Sequence, residues 1–377
     1  MGAKTSLRRY DLDWIKVIAT FIVFLFHCSM FFNPFPWHVK NNEIDNGAIL
    51  TFSLFIGTWI MPIFFIISGV SSYYSLQKRS WKIYLHERFV RLGIPLLFGV
   101  FILSPPQVYI ERLDHEQFKG SFFEFFPSYF DGLYLDIGGT GNFAFVGLHL
   151  WYLLALLLFS VITVPLFSRT KPIKKLSFRH LVLFPLPLFL LATFIETANL
   201  GGWDLLVYLG MFLVGFYLFS QPELLNLLRR TAPTHFFLGI LTSTIYVVWF
   251  YIGEPERGTL PFFFFTFVMV TSCWNLILFF YYSAYKFLSF KNKVLSYCSE
   301  ASMPFYVLHQ PVIVIVGFLI KDAAWPIYAK LLFLVIISFC IICLTYHFII
   351  RKVPFLRVLF GIKGQKHPKW TDKNMTA

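Results

Sequence analysis

Apolar runs of about 20 residues follow one another along almost the whole sequence, with short polar segments between them. A run of that length, wound as a helix, crosses the hydrocarbon core of a bilayer. A series of them leaves few other folds open, because a chain in lipid must satisfy its backbone hydrogen bonds internally. The pattern places helices near 13–33, 50–74, 89–108, 147–168, 180–198, 204–220, 235–252, 260–282, 302–320 and 328–350. Charged residues make up 14% of the chain, against roughly a quarter in a soluble domain. That is too little polar surface to cover a water-soluble globule of this size. The expected fold is all-α: a polytopic integral membrane bundle of about ten transmembrane helices with both termini in the cytoplasm.

The basic residues give the orientation. With the N-terminus inside, the cytoplasmic segments hold Lys78, Arg79, Lys82, Arg88 and Arg91, then Arg169, Lys171, Lys174, Lys175 and Arg179. They also hold Arg229 and Arg230, then Lys286, Lys291 and Lys293, and the tail holds seven more from Arg351 to Lys373. The external segments hold Lys40, Arg112, Lys119, Arg257, Lys321 and Lys330. Positive charge stays on the cytoplasmic side of bacterial membrane proteins, and each loop in turn obeys that rule. The net charge of +13 is therefore a topology signal, and no nucleic-acid partner is expected. Lys4, Arg8 and Arg9 ahead of an apolar stretch imitate a secretory signal, but no small-residue cleavage pattern follows, so the first helix is expected to be retained. Residues 8–355 form one membrane domain, and 356–377 a cytoplasmic tail that is polar and partly disordered. The cysteines, Cys28, Cys273, Cys298, Cys340 and Cys343, lack the spacing of a metal site, and no metal is expected. The longest external loop runs from Ser104 to Phe145 and is long enough to shape an external site; a plain solvated loop fits its composition equally.

Ionisable residues inside spans are costly and mark functional candidates. Lys16 and His27, eleven residues apart in KVIATFIVFLFH, lie about three turns apart on one helix face, roughly 16 Å in height. Lys16 then sits near the cytoplasmic boundary and His27 near mid-membrane, where an imidazole can exchange protons near neutral pH. Arg88 and Arg91 share a face at the start of the third helix and suit a phosphate clamp or, equally, a pair of snorkelling topology anchors. His149 begins the HLWYL run, and His309 lies mid-span, followed by Gln310 and Pro311. Pro311 cannot donate a backbone bond, so a carbonyl one turn back is freed. Each histidine alone fits a hydrogen-bonded structural role; with His27 they suggest one polar cavity. Ser68 and Gly69 form a small-residue patch that lets helices approach closely. Such faces permit a homodimer without requiring one. Glu196 and His347, at span edges, receive no role.

Taken together, these motifs resemble the membrane acyltransferase-3 family, and within it the glucan biosynthesis protein C type, which succinylates periplasmic glucans. A basic residue, ten others and a histidine match at Lys16 and His27. The FF-ISG pattern matches Phe64, Phe65, Ser68 and Gly69; Arg-x-x-Arg matches Arg88 and Arg91, with Pro95 following. HLWYL resembles the family segment at His149 and Trp151, and FYVLHQPVIV the late one at Tyr306, His309 and Pro311. Trp37, His38 and Val39 add the external WHV of the glucan proteins. Lys16 stands where arginine is common, which keeps the charge but not the planar fork.

The resemblance implies a multi-pass enzyme of the bacterial cytoplasmic (inner) membrane. Its donor would be acyl-CoA (acetyl-CoA or succinyl-CoA) in the cytoplasm, and its acceptor a hydroxyl of a periplasmic or cell-surface glycan. Arg88, Arg91 and Lys16 would hold the donor. His27 would act as general base or carry a transient acyl group, and His309 and His149 would orient the acceptor or stabilise the oxyanion. A glycan or lipid transporter would also use polar residues at mid-membrane, but would need no phosphate clamp.

Overall fold

A computed structural model describes residues 8–170 and 176–362. Lys171, Lys174 and Lys175 of one expected cytoplasmic loop, and the tail from Lys363, lie outside the described residues.

The chain is an all-α bundle of the polytopic membrane type. Eight helices are long and apolar enough to cross a membrane: α1 (Tyr10–Met30), α2 (Ala48–Leu76), α3 (Trp81–Asp114), α4 (Leu148–Arg169), α7 (Pro222–Ile252), α8 (Leu260–Phe287), α9 (Lys293–Ile320) and α10 (Ile327–Ile350). Two shorter apolar helices, α5 (Phe178–Phe194) and α6 (Leu205–Phe219), lie between α4 and α7. Each of the ten expected positions thus holds an apolar helix. The ends differ where polar residues deceive a hydropathy window. Arg229 and Arg230 hide the first turns of α7, which begins at Pro222. Ser104, Pro105 and Pro106 suggest a loop, yet α3 continues past them to Asp114, because prolines are tolerated where a new helical turn starts. Beyond α10, Pro354–Leu359 forms a short helix, and Phe360 and Ile362 after it are buried.

The core lies between helices in the sense that lipid demands. α1 packs against α9 and α2, α2 against α6, and α7 forms a hairpin with α8. The contact of α2 with α6 is backbone on backbone. A Cβ on Gly69 would stand 2.1 Å from the Phe212 carbonyl oxygen, and one on Gly215 2.2 Å from that of Ile66. Only glycine allows that approach. Outside, large apolar side chains such as Phe237, Ile252, Leu332 and Leu344 are exposed, as expected of surface that meets acyl chains.

After α1 the chain does not leave the protein. Phe31, Phe32, Trp37, His38 and Val39 are all buried. Non-helical backbone at this depth needs protein partners. Lys40 supplies three of them, donating to the carbonyls of Met30 (2.6 Å), Asn33 and Phe35 (2.7 Å). Buried Lys330 of α10 holds Asn41 (2.9 Å) and Asn42 (2.7 Å). This segment therefore forms a fixed lining over the end of α1. The helix sits three residues earlier than the expected 13–33: α1 stops at Met30, so His27 lies in its last turn, beneath the returning segment.

Candidate active site: a basic cavity and a histidine cluster

A cavity of about 580 Å³ opens among α1, α2, α3, α4 and α9 at the end of the bundle that carries Arg88. Its mouth is lined by Arg8, Arg9, Lys16, Lys78, Arg79, Arg88 and Arg91, against the acids Asp13 and Glu87. Three of the cations are matched: Arg8 with Asp13 (2.8 Å), Arg9 with Asp11 (2.6 Å) and Arg79 with Glu87. Lys16, Lys78, Arg88 and Arg91 form no ion pair among the described residues, so the mouth carries an uncompensated positive charge. Arg88 is aimed by two groups of α2, donating to Ser72 Oγ (2.9 Å) and more weakly to the Ser68 carbonyl (3.4 Å). Arg91 follows within a wide helical turn, Phe89–Gly93, that closes with i→i+5 bonds. The two arginines thus straddle a change of helical pitch and still line one cavity. Turns of this kind recur at functional sites because they re-aim side chains.

The cavity is also lined by the apolar Phe64, Ile67, Leu153, Leu156 and Met303, by Thr20, Ser68, Ser71 and Ser302, and by Tyr152 and Tyr306. Tyr306 is the link to the histidines. Its carbonyl lies 2.5 Å from His309 Nδ1 and 3.2 Å from His149 Nε2. Its hydroxyl donates back to the His149 carbonyl (2.5 Å). His149 Nε2 also lies 3.3 Å from the Val307 carbonyl. Val307 stands four residues before Pro311, whose missing N–H leaves that oxygen without its helical donor. The carbonyl that the sequence said would be freed is thus taken up by His149.

These contacts fix the protons. A carbonyl can only accept, so His309 and His149 present N–H at Nδ1 and Nε2 respectively. His309 Nε2 then bears a lone pair, and it lies 3.1 Å from His27 Nδ1. His27 Nδ1 is also 2.9 Å from the Val23 carbonyl. One N–H on His27 Nδ1, shared between Val23 and His309, satisfies both. The free lone pair of His27 is therefore on Nε2, which has no hydrogen bond among the described residues. His149 and His309 are buried, whereas His27 keeps partial exposure.

The structure thus gathers the expected residues into two groups. His27, His149 and His309 form one cluster, with ring centroids 4.8 and 4.9 Å apart. Lys16, Arg88 and Arg91 meet at the cavity mouth, and Lys16 is placed with the arginines, about three turns along α1 from the histidines.

A second layer escaped the sequence reading. The Trp37 ring lies against those of His27 (centroids 5.3 Å apart) and His38 (5.1 Å). His38 Nδ1 is 2.5 Å from Glu111 Oε2, and Gln310 Nε2 lies 2.9 Å from His38 Nε2. Glu111, fully buried, also accepts from Tyr134 (2.7 Å), Arg112 (3.1 Å) and the Gly138 amide (2.9 Å). Burial, with the Glu111 carboxylate beside it, pushes the Tyr134 hydroxyl far above its ordinary range, so it remains a donor. In sequence, His38 and Glu111 sit in segments assigned to external loops, where polar residues carry no signal. The WHV run and the length of the segment from Ser104 to Phe145 were the hints. Among the described residues no group of three or more His, Cys, Asp or Glu side chains is placed to hold a metal ion.

Residues 9–348 match the family model of the acyltransferase-3 acyltransferase domain. The chain belongs to the membrane acyltransferase-3 family. It is also similar to curated relatives. The glucans biosynthesis proteins C of Escherichia coli O1:K1 and of Escherichia coli O157:H7 are each 26% identical to it, over 96% of this chain and 97% of theirs. That of Shigella dysenteriae serotype 1 is 25% identical over the same shares. No solved structure matches. This multi-pass membrane acyltransferase thus carries the family domain over nearly its whole length, and the basic cavity and the histidine cluster both fall inside it.

Proposed function

We propose that this acyltransferase moves an acetyl or succinyl group from cytoplasmic acyl-CoA to a hydroxyl of a periplasmic or cell-surface glycan, across the bacterial inner membrane. The observation that carries the reading is one cavity joining unpaired cations at its mouth to Tyr306 beneath the histidines. Arg88, Arg91 and Lys16 hold the phosphates of CoA by charge-assisted bonds. The apolar throat takes the pantetheine arm and brings the thioester toward His27. This orientation puts the Arg88 end, with both termini, in the cytoplasm, and the Glu111 end outside, where the acceptor arrives. The names of the relatives favour a glucan acceptor.

The chemistry follows from the lone pair on His27 Nε2. It takes the proton of the acceptor hydroxyl as that oxygen bonds to the thioester carbon. The C–S bond then breaks, and the thiolate leaves with the same proton. His309 Nε2, accepting from His27 Nδ1–H, stabilises the imidazolium in between. His149, whose Nδ1 has no partner among the described residues, offers a lone pair to a neighbouring hydroxyl of the acceptor glycan.

Binding of acetyl-CoA and succinyl-CoA to detergent-purified protein tests this. The Arg88→Ala/Arg91→Ala double variant should bind the preferred donor roughly 100-fold more weakly, since each charged hydrogen bond is worth on the order of 1.5–3 kcal/mol. Folded wild-type protein that binds neither donor would refute the reading and favour a transporter.

A further inference from the structure

Besides the exposed lone pair of His27, two buried polar atoms at the histidine cluster have no partner among the described residues: Trp37 Nε1 and His149 Nδ1. Both residues are 6% exposed. Buried polar groups are almost always paired, so an orphan asks for an explanation. The two orphans are opposite in kind. An indole N–H can only donate, and His149 Nδ1, with its other nitrogen committed to Tyr306 and Val307, can only accept.

Acyl transfer brings in one group of each opposite kind. A glycan acceptor brings hydroxyls beside the reacting one, and each needs a lone pair to donate to. The thioester carbonyl oxygen needs a donor, and needs it most when it carries negative charge in the tetrahedral intermediate. Other N–H groups around His27 are committed: His27 Nδ1–H to Val23 and His309, His309 Nδ1–H to Tyr306, and one N–H of the Gln310 amide to His38. We propose that the indole N–H of Trp37 is the oxyanion donor of this enzyme.

The proposal rests on the acyl-transfer reading and adds a residue to it. Trp37 packs against the ring that bears the free lone pair. Its other neighbour, His38, is clamped by Glu111 and Gln310, so the indole is held before substrate arrives, as electrostatic preorganisation requires. In the step itself, the hydroxyl oxygen bonds to the carbonyl carbon, its proton goes to His27 Nε2, and the carbonyl π electrons move onto oxygen beside Trp37. Collapse re-forms the carbonyl, breaks the C–S bond and returns the proton to the thiolate. The indole keeps its own proton throughout.

The test replaces one atom. Benzothienylalanine at position 37 keeps the ring shape and lacks the N–H; Trp37→Phe is the encoded counterpart. Purified wild type, both variants and His27→Ala are compared for kcat of acyl transfer and for the Kd of acyl-CoA, with size-exclusion profiles to verify folding. The expected result for the benzothienyl protein is a kcat lower by about 10²–10³-fold, the usual effect of one oxyanion donor, at unchanged Kd. A kcat within about threefold of wild type, or a loss confined to Kd, overturns the assignment while leaving acyl transfer intact. Wild type no more active than His27→Ala would instead remove the acyl-transfer reading, and this inference with it.

Discussion

His27 shows how much a single proton position decides. Its Nδ1–H is held by Val23 and His309, so the lone pair must lie on Nε2. His27→Ala should therefore lower turnover by roughly 10²–10⁴-fold, the range for a positioned base, while acyl-CoA affinity, set at the far end of the cavity, stays the same. A variant that loses affinity in step with turnover would contradict that division. Glu111 is a buried hub. It accepts from His38, Tyr134, Arg112 and the Gly138 amide. Glu111→Ala leaves Arg112 as a buried charge without its carboxylate, a loss on the order of 3–5 kcal/mol. A clear drop in melting temperature in detergent should follow, and an unchanged one would show that the hub is dispensable.

Among the elements, the closest pairing is that of α2 with α6. Gly69 and Gly215 let the two backbones touch. Gly69→Val should destabilise by about 1–3 kcal/mol through overpacking, read as a lower melting temperature. Gly57→Ala, whose added carbon would meet its nearest neighbour at 3.9 Å, should be tolerated. Legibility was uneven at this level, for physical reasons. Apolar period and length made the helices readable, and Gly69 was readable as a contact because small residues in lipid have few other uses. Helix ends were not, because Arg229 and Arg230 sit in α7 and Pro105 and Pro106 in α3 without ending either one. Of the site, the histidines and arginines stood out because lipid makes ionisable groups conspicuous. Trp37, His38 and Glu111 did not, because nothing local says that the chain after α1 folds back into the protein and that α3 runs on to meet it.

For the whole molecule, the uncompensated cations and the Glu111 network lie at opposite ends of the bundle, with the histidines between them. That arrangement suits a reaction whose two substrates come from two sides. It also predicts sidedness. In a background free of the five native cysteines, an impermeant maleimide applied to intact cells should label Phe123→Cys, where the side chain is 85% exposed, and should label Lys291→Cys only after permeabilisation. The reverse pattern would invert the proposed orientation. Transfer across the membrane is tested most directly with protein reconstituted into liposomes in the orientation that leaves the Arg88 face outside. Radiolabelled acyl-CoA is added outside and the glucan acceptor is trapped in the lumen. The expected result is label on the lumenal glucan with wild type and background levels with His27→Ala. Equal labelling by the two proteins, or no labelling by folded wild type that binds its donor, would contradict it.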